Sequence, residues 1–518
     1  MKPIFDIGRG LYVMSALLIL ITSFLVLVKS PLFFQVAAFQ SEEREVKTQL
    51  VQLSSSPATL VVIDDGNPAE KGSVDYIQKR MTEMKVHYDV QDLQDYIVGK
   101  HVKTIVLATE DWQEVKSEEL INFVEDGGNL VVAMRPSPKT TIQSIYQQLG
   151  IIEYGSFKEV EGFKLLAPFF MLDEDTIIQE QEFNQSMLAV RIHDNAVKRA
   201  VSLDGNPLLW TIDLGEGKVL FFNGILTSDE TFGPFFTWMM SHTTAQLYPV
   251  IYGGVALLDG FPFPTQTTRT VHGKSEKNYY RQDWWLSMQS LEARFDLNLT
   301  AAALYPSDLG EETLFKDELE LYAREIVLLG GEVALKVDEN LQVEQGLVQK
   351  ILGDYQLETQ LLPSDQLAGP LAQFSLQQGN LPVVPGDLER WTSIRKVIDY
   401  GYQDVSFSPY SLNGTDRDES MWRNWQEYLK GLEELYAVPY YPAREVSALY
   451  THWQENDVRV EIDRNVLTVS MSIFTDATYF HYYSDKAIRS STNCEVQKIG
   501  ENLYLVQALD SEFTIETE

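Results

Sequence analysis

One long apolar block stands near the start of the chain, and behind it short apolar runs alternate with stretches of helical period. Leu11 to Val28 is uncharged and mostly branched apolar, bracketed by Arg9 and Lys29, a length that crosses the hydrocarbon core with little tilt. Residues 30–56 read as a stalk that breaks at Ser54-Ser55-Ser56-Pro57. Thr59 to Ile63 is then a near-continuous apolar run closing on Asp64-Asp65-Gly66, the pattern of a buried parallel strand. Val74, Ile77, Met81 and Met84 follow at helical spacing, and strands are predicted at Thr104–Ala108 and Leu130–Ala133 around a helix through Leu120 to Val124. Alternation of this kind predicts a doubly wound, flavodoxin-like α/β domain over 57–245. Near its end, Trp210 to Asn223 reads as a hairpin with a glycine-containing turn.

A second α/β unit is expected over 246–445. Val255 to Leu258 is a short buried strand that ends in Asp259 and breaks at once into the loop Gly260-Phe-Pro-Phe-Pro264. Further strands are predicted at Leu299–Leu304, Gly330–Leu335, Phe374–Ser375, Leu381–Val384 and Asp404–Ser408, with a helix through Glu318 to Leu328 among the helical stretches between them. Repeated strand–helix units fit an α/β barrel, complete or partial, in which an acid at a strand's carboxyl end is placed for chemistry. Over 446–518, Val458–Asp463 and Val466–Ser470 flank an Asp-Arg-Asn turn, and Leu503–Gln507 is a further strand-like run, predicting a small β-rich domain.

Charge changes the picture in two places. A formal net charge of −34 argues against a nucleic-acid or anionic-lipid surface, which needs a basic face. At the amino end, Lys2 and Arg9 face Asp6, while Glu42, Glu43 and Glu45 follow the apolar block. The positive-inside rule then leaves residues 1–10 in the cytoplasm and everything beyond residue 29 outside the cell membrane. Val36-Ala37-Ala38 is the one faint cleavage signal, so an uncleaved single-pass anchor is expected. One cysteine, Cys494, excludes an internal disulfide and a cysteine-rich metal site.

Glu125-Asp-Gly-Gly-Asn-Leu-Val-Val132 and Leu214-Gly-Glu-Gly-Lys-Val-Leu-Phe-Phe222 resemble the class I glutamine-amidotransferase-like fold, and more closely its non-catalytic versions in carbohydrate-active proteins. That reaction needs an activated thiolate, and the only cysteine lies far away at 494. His193 and His242 then read as ordinary polar residues, and Asp64-Asp65 as helix or loop caps. The domain is expected to be a scaffold or recognition module.

Leu258-Asp259-Gly260-Phe261-Pro262 and Gly330-Gly331-Glu332-Val333-Ala334-Leu335 resemble two motifs of the polysaccharide-deacetylase family. The resemblance implies that Asp259 occupies the place of the catalytic base and Gly260 that of a metal-binding acid. It also puts Lys336 and Asn340 on the two metal-binding histidine positions. A metal ion is what lowers the pKa of the attacking water in such a reaction. With its ligands replaced, a metal-independent site is expected, and neither metal nor other cofactor is implied. Asp259 and Lys336 remain as the remnant, with Lys336 a candidate to pair with Asp259. Aromatic residues crowd the sequence after the first strand, so the expected ligand-binding set is Asp259, Phe261, Tyr280, Trp284, Trp285, Glu332 and Asn340. Sugar stacking and plain packing of these rings both remain open.

The combination resembles an uncharacterised membrane-anchored family of Gram-positive exopolysaccharide loci of the Pel-like kind. That resemblance implies a non-catalytic extracytoplasmic component of exopolysaccharide biosynthesis, export or modification, binding glycan or other membrane proteins of the secretion machinery. The alternative is a glycan hydrolase or esterase that works through carboxylates alone, Asp259 with Glu332, Asp283, Asp404 or Asp416. A surface scaffold that only positions partners is the third reading.

Overall fold

The structure is a computed structural model that describes residues 46–47, 58–64, 66–138, 145–179, 183–226, 231–262, 265, 269–303, 312–336, 360–361, 387–407 and 418–518. The expected membrane span at 11–28, the stalk and the predicted strands at 374–375 and 381–384 lie outside these residues. No helix among the described residues is long and apolar enough to cross a membrane.

The first unit is built on a nine-stranded sheet. Its elements are β1 (Thr59–Ile63), α1 (Lys71–Glu83), β2 (Tyr88–Asp92), β3 (Thr104–Leu107), α2 (Ser117–Glu125), β4 (Asn129–Val132), β5 (Ile151–Glu161), β6 (Phe163–Leu165), β7 (Ile177–Ile178), β8 (Asn184–Ile192), β9 (Val197–Ser202), β10 (Pro207–Leu214), β11 (Gly217–Phe222) and α3 (Gly233–Ser241). The spatial order is β2-β1-β3-β4-β11-β10-β9-β6-β7. The first five strands are parallel and in the flavodoxin-like order; the last four continue antiparallel. Strands β5 and β8 pair separately as a long ribbon. Every residue of β1 from Thr59 to Val62 is buried, as is every residue of β3, because helices and connections cover both faces of the sheet. The buried stripe of α1 includes Val74, Ile77 and Met81, the predicted helical spacing.

Two glycine phrases lock this sheet. The hairpin β10–β11 runs in register from Leu209↔Phe222 to Leu214↔Gly217, leaving Gly215-Glu216 as the turn. Glu216 donates its N–H to the Glu125 carbonyl at 3.0 Å. A Cβ on Gly217 would lie 2.1 Å from the Gly128 carbonyl oxygen, and one on Gly215, whose φ is +61°, 2.5 Å from the Glu125 backbone. The two sequence phrases that carry the amidotransferase likeness are therefore packed against each other, and their glycines are there for close backbone approach.

The second unit contains β13 (Gly253–Asp259), α4 (Trp285–Phe295), β14 (Thr300–Ala303), α5 (Glu312–Leu328), β15 (Glu332–Lys336), β16 (Gln360–Leu361), α6 (Asp387–Tyr400), β17 (Tyr402–Phe407) and α7 (Asp418–Leu435). Its five-stranded sheet has the order β16-β15-β14-β13-β17 and is parallel throughout. Strand β17, the last in sequence, lies beside β13, the first, as in a barrel arc. Among the described residues the sheet is open, with β16 and β17 at its edges.

The carboxyl-terminal region follows α8 (Ala443–Glu455). Two four-stranded antiparallel sheets face one core. One is β18 (Val458–Asp463), β19 (Val466–Met471), β24 (Glu512–Thr517) and β21 (Ile488–Thr492), in that order. The other is β12 (Leu247–Val250), β20 (Tyr479–Tyr483), β23 (Leu503–Ala508) and β22 (Cys494–Lys498). The expected boundary at 246 needs correcting here. Strand β12 belongs to the carboxyl-terminal sheet, pairing Leu247↔Tyr482 to Val250↔Tyr479, although it immediately precedes the barrel's first strand. The expected division at 445/446 falls inside α8. The core beneath the nine-stranded sheet likewise takes in Trp391, Ile394 and Ile398 of α6 and Leu503 and Leu505 of β23. The three regions are knitted through shared cores.

Candidate functional site

Strand β13 is buried from Gly253 to Leu258 and becomes half-buried at Asp259, its carboxyl end. Its neighbours are fixed by register, with Asp259 opposite Ala302 on β14 and Leu258 opposite Phe407 on β17. The chain turns at Gly260 with φ +70° and runs through a cis Phe261–Pro262 peptide. Asp259 thus stands at the carboxyl edge of a parallel sheet, on its central arc, where barrel chemistry is normally placed.

The aromatic residues that follow do not form an open platform: of the two readings, stacking and packing, these rings take packing, which corrects the place of Phe261, Tyr280, Trp284 and Trp285 in the ligand-binding set. Phe261 is 1% exposed, Trp284 1% and Trp285 2%. Phe261 lies 5.1 Å from Trp284, 5.3 Å from Trp285 in a stacked arrangement, and 4.7 Å from Tyr322. Tyr280 packs edge-on to Trp284 at 5.9 Å. The rings satisfy one another in the core beneath the edge, which is the favoured geometry for clustered aromatics. Trp285 Nε1 donates to Glu325, whereas Trp284 Nε1 has no hydrogen-bond partner among the described residues. Trp422, 5.9 Å from Trp284 and set perpendicular to Trp425 at 5.0 Å, is half-buried and keeps part of its surface open.

The acids divide by strand end. Glu332 begins β15, opposite Thr300 of β14, so it lies toward the amino edge and not beside Asp259. It is 4% exposed, and Oε2 accepts the Arg444 N–H at 3.1 Å. Thr300 Oγ1 accepts the neighbouring Ala443 N–H at 2.8 Å. Glu332 therefore fastens the first turn of α8 beneath the barrel, a carboxylate at the positive end of a helix, and is removed from the ligand-binding set. Of the acids considered as a second carboxylate for Asp259, Asp404 is paired with Lys396 at 2.6 Å and Asp283 with Lys274 at 2.7 Å. Asp416 and Asn340 lie outside the described residues. Lys336 ends β15; the expected pairing of its side chain with Asp259 lies outside what is described.

Glu318 is an acid on the carboxyl side that sequence reasoning passed over. It stands on α5 in register with Tyr322 and Ile326, a buried stripe in which it is 5% exposed, Tyr322 3% and Ile326 1%. Thr265, on the loop after β13, donates its hydroxyl to both carboxylate oxygens at 2.9 and 3.0 Å, and Lys277 Nζ lies 3.2 Å from Oε1. Burial pushes the Tyr322 hydroxyl well above the ordinary tyrosine range, and the nearby Glu318 charge adds to the shift. An acid at a core position of a helical period was the available signal.

A divalent metal does not fit these residues. Asp259 is the one acid the motif retains, Gly260 offers no side chain, and among the described residues no group of three His, Cys, Asp or Glu is gathered closely enough to hold an ion. His272, on the segment after β13, packs against Tyr279 at 5.5 Å, and three other histidines of the described region serve elsewhere. His481 is fully buried between Tyr436 and Tyr248, His242 packs between Trp238 and Tyr483 at 3.8 and 4.1 Å, and His193 is exposed. Asp64 accepts the N–H of Gly66 and shapes its own loop; Asp65 lies outside the described residues.

One solved structure shares this architecture over most of its length. A family model described as an uncharacterised protein conserved in bacteria, DUF2194, matches residues 169–324. No curated protein matches. The crystal structure of Agd3, a carbohydrate deacetylase, aligns over 89% of this chain and 98% of its own with a TM-score of 0.54 and 8% identity. The fold is deacetylase-like. A β-galactosidase from Bacillus circulans sp. alkalophilus aligns at TM-score 0.28 and 12% identity, over 36% of this chain. This chain spans 31% of that enzyme's length. A cytoplasmic protein from Salmonella typhimurium, STM3548, aligns at TM-score 0.28 and 14% identity, over 36% of this chain and 98% of its own.

Proposed function

We propose that this chain is a membrane-anchored, extracytoplasmic component of exopolysaccharide biosynthesis, export or modification. In this reading it keeps the architecture of a carbohydrate deacetylase and uses its barrel edge to bind glycan or a partner protein without metal-dependent hydrolysis. One observation carries the reading: Asp259 ends β13 at the functional edge of the sheet while the next position, where the resemblance expects a metal-binding acid, is a glycine at φ +70°. The anchor is the apolar block at 11–28, with the amino terminus cytoplasmic. Support for a glycan is the deacetylase-like fold, the half-open Trp422 and the partly exposed Thr265 and Lys277, which meet over the buried Glu318. The full-length chain in detergent, incubated with N-acetylglucosamine oligosaccharides and added zinc or cobalt, is expected to release no acetate. Acetate release above the metal-only control overturns the proposal.

A further inference from the structure

Both α/β units stand on the carboxyl-terminal region by the same ends. Strand β12, a member of the carboxyl-terminal sheet, runs straight into the amino end of β13. There Gly254 donates its N–H to the Pro439 carbonyl at 2.9 Å and accepts that of Tyr441 at 2.8 Å. Helix α8 follows, fastened by its first turn to Thr300 and Glu332 at the amino ends of β14 and β15, and its Trp453 donates Nε1 to the Pro249 carbonyl of β12 at 3.0 Å. In the first unit, Thr59 at the amino end of β1 meets Thr244, just ahead of β12, at 3.0 Å. Lys85, between α1 and β2, reaches the Gln454 carbonyl of α8 at 2.8 Å. The amino edges of both parallel sheets therefore face β12 and α8. Their carboxyl edges point the other way, and β13 carries Asp259 about 20 Å beyond Gly253.

The chain that follows the apolar block at 11–28 comes back to this same base. Val46 pairs with Phe474 and Lys47 with Ile473, antiparallel. Ile473 donates its N–H to the side chain of Asn456, the residue that ends α8, at 3.1 Å. Val46–Lys47 is thus seated beside the foot of α8, in the carboxyl-terminal region. Val46 is 17 residues beyond Lys29. Such a length spans about 60 Å fully drawn out and about 20–25 Å as a flexible chain, against a radius of gyration of about 22 Å for a fold of this size. Only the drawn-out limit would let the molecule turn over. A formal net charge of −34 also opposes lying flat on an anionic bilayer.

We propose that the carboxyl-terminal sandwich is the membrane-side domain and that the Asp259 edge opens away from the bilayer, so that its occupant is a free polysaccharide chain and not a lipid-linked glycan or a membrane-embedded partner. This rests on the anchored, glycan-binding reading above and names the occupant of that same site. A lipid-linked sugar is held at the headgroups, whereas the edge stands a barrel strand beyond β12, α8 and the sandwich beneath them. A polymer in the extracytoplasmic space reaches it from the open side.

Full-length chain reconstituted in phosphatidylcholine–phosphatidylglycerol vesicles, with an acceptor dye on the lipid headgroups, reads the orientation. A donor dye is placed through Asp510→Cys, exposed in the turn whose Ser511 carbonyl accepts the Met471 N–H, or through Gln282→Cys, exposed ahead of α4 on the carboxyl side of β13. Both sit in a Cys494→Ser background. The donor at 510 is expected to lose fluorescence to the acceptor and the donor at 282 to keep it; equal or reversed losses overturn the proposal. Val46→Pro, which cannot donate to a ladder, should narrow that contrast at an unchanged melting temperature, and an unaltered contrast overturns the role given to the Val46–Lys47 pairing. For the occupant, an N-acetylglucosamine hexasaccharide in solution should bind the vesicle-held chain as tightly as the chain in detergent, and Asp259→Asn should weaken it. The same hexasaccharide coupled to a phospholipid in those vesicles should not compete, and competition overturns the proposal. If alkaline carbonate strips the chain from the vesicles, the anchored reading fails, and if neither hexasaccharide binds, the glycan reading fails; the proposal falls with either. Retention and binding with the dye order reversed sink the proposal alone.

Discussion

Arg80 of α1 and Asp399 of α6 meet at 3.4 Å between Nε and Oδ1, with Nη2 also donating to the Asp399 carbonyl at 2.8 Å, and both residues are 1% exposed. Thr237 of α3 joins them, accepting from Arg80 at 3.0 Å and donating to Asp399 at 2.6 Å. Tyr400 donates to Glu83, and the guanidinium lies over the rings of Tyr248 and Tyr400. One cation therefore ties the nine-stranded unit to the barrel and to β12 of the carboxyl-terminal sheet.

Removing that cation leaves Asp399 and Glu83 buried without it. Burial alone would lower the guanidinium pKa, but Asp399 and Glu83 more than offset this and hold it above the ordinary arginine value, so Arg80 is charged throughout the accessible range. Arg80→Met is expected to cost about 3–5 kcal/mol and to split thermal unfolding into separate transitions. Arg80→Met with Asp399→Asn should recover part of the loss, and a double-mutant cycle measures how much. A single unshifted transition in Arg80→Met would show that the network does not couple the units.

The sheets were legible in the sequence where burial on both faces makes long apolar runs. Thr59–Ile63 begins and ends as its apolar run predicts. Val458–Asp463 does so from its alternation instead, with none of its residues fully buried, and the hairpin expected over Trp210–Asn223 runs from Pro207 to Phe222. What the pattern does not carry is partnership. Tyr88-Asp-Val-Gln-Asp92 is a polar edge strand, mostly half-buried, and gives no apolar run. Leu247–Val250 looks like any buried strand until its pairing with Tyr479–Tyr482 is known. At the barrel edge, Asp259 was legible from its place after an apolar strand. Glu318, on a helix that packs under the loop, was not, since its role depends on Thr265 and Lys277 arriving from elsewhere.

Close backbone approach gives a paired prediction about two glycines. Gly217→Ala places a methyl 2.1 Å from the Gly128 oxygen and 2.2 Å from that of Val124, atoms of backbone that cannot rotate away. A cost of about 1–3 kcal/mol, or more, is expected from overpacking of this kind. Gly72 in the first turn of α1 has nothing within 4 Å of an added Cβ, so Gly72→Ala should stabilise by about 0.5–1 kcal/mol through helix propensity. Chemical denaturation of both variants checks the contrast, which collapses if they move in the same direction.

His481 sets an acid limit. It is fully buried, hydrogen-bonded to Tyr436 at 2.9 Å and Tyr248 at 3.2 Å, and desolvation lowers its pKa from 6.5 to about 3. The unfolded chain therefore takes up a proton at this residue between pH 6.5 and 3 that the folded chain refuses. Folding stability falls as pH drops through that window, by about 1.4 kcal/mol per pH unit from this group. His481→Gln should flatten the stability profile between pH 6 and 4 relative to wild type. Parallel profiles would show that His481 is protonated in the folded chain.

Glu332 provides the last contrast, between a conspicuous acid and a functional one. It was a candidate because it sits on a strand resembling a deacetylase motif, yet its carboxylate holds the Arg444 N–H at the start of α8, on the amino side of the sheet. Two physical effects favour it there: a satisfied helix-end donor and a negative charge at the positive end of the helix. Glu332→Gln keeps the hydrogen bond and loses the charge, for an expected cost of about 0.3–1 kcal/mol. Glu332→Ala leaves the helix-end donor without the carboxylate, for about 1–2 kcal/mol. Neither should change glycan affinity, because the residue faces away from the edge where Asp259 stands. Isothermal titration of both variants checks this. A loss of affinity that exceeds the loss of stability would return Glu332 to the binding set and put the ligand on the amino side of the barrel.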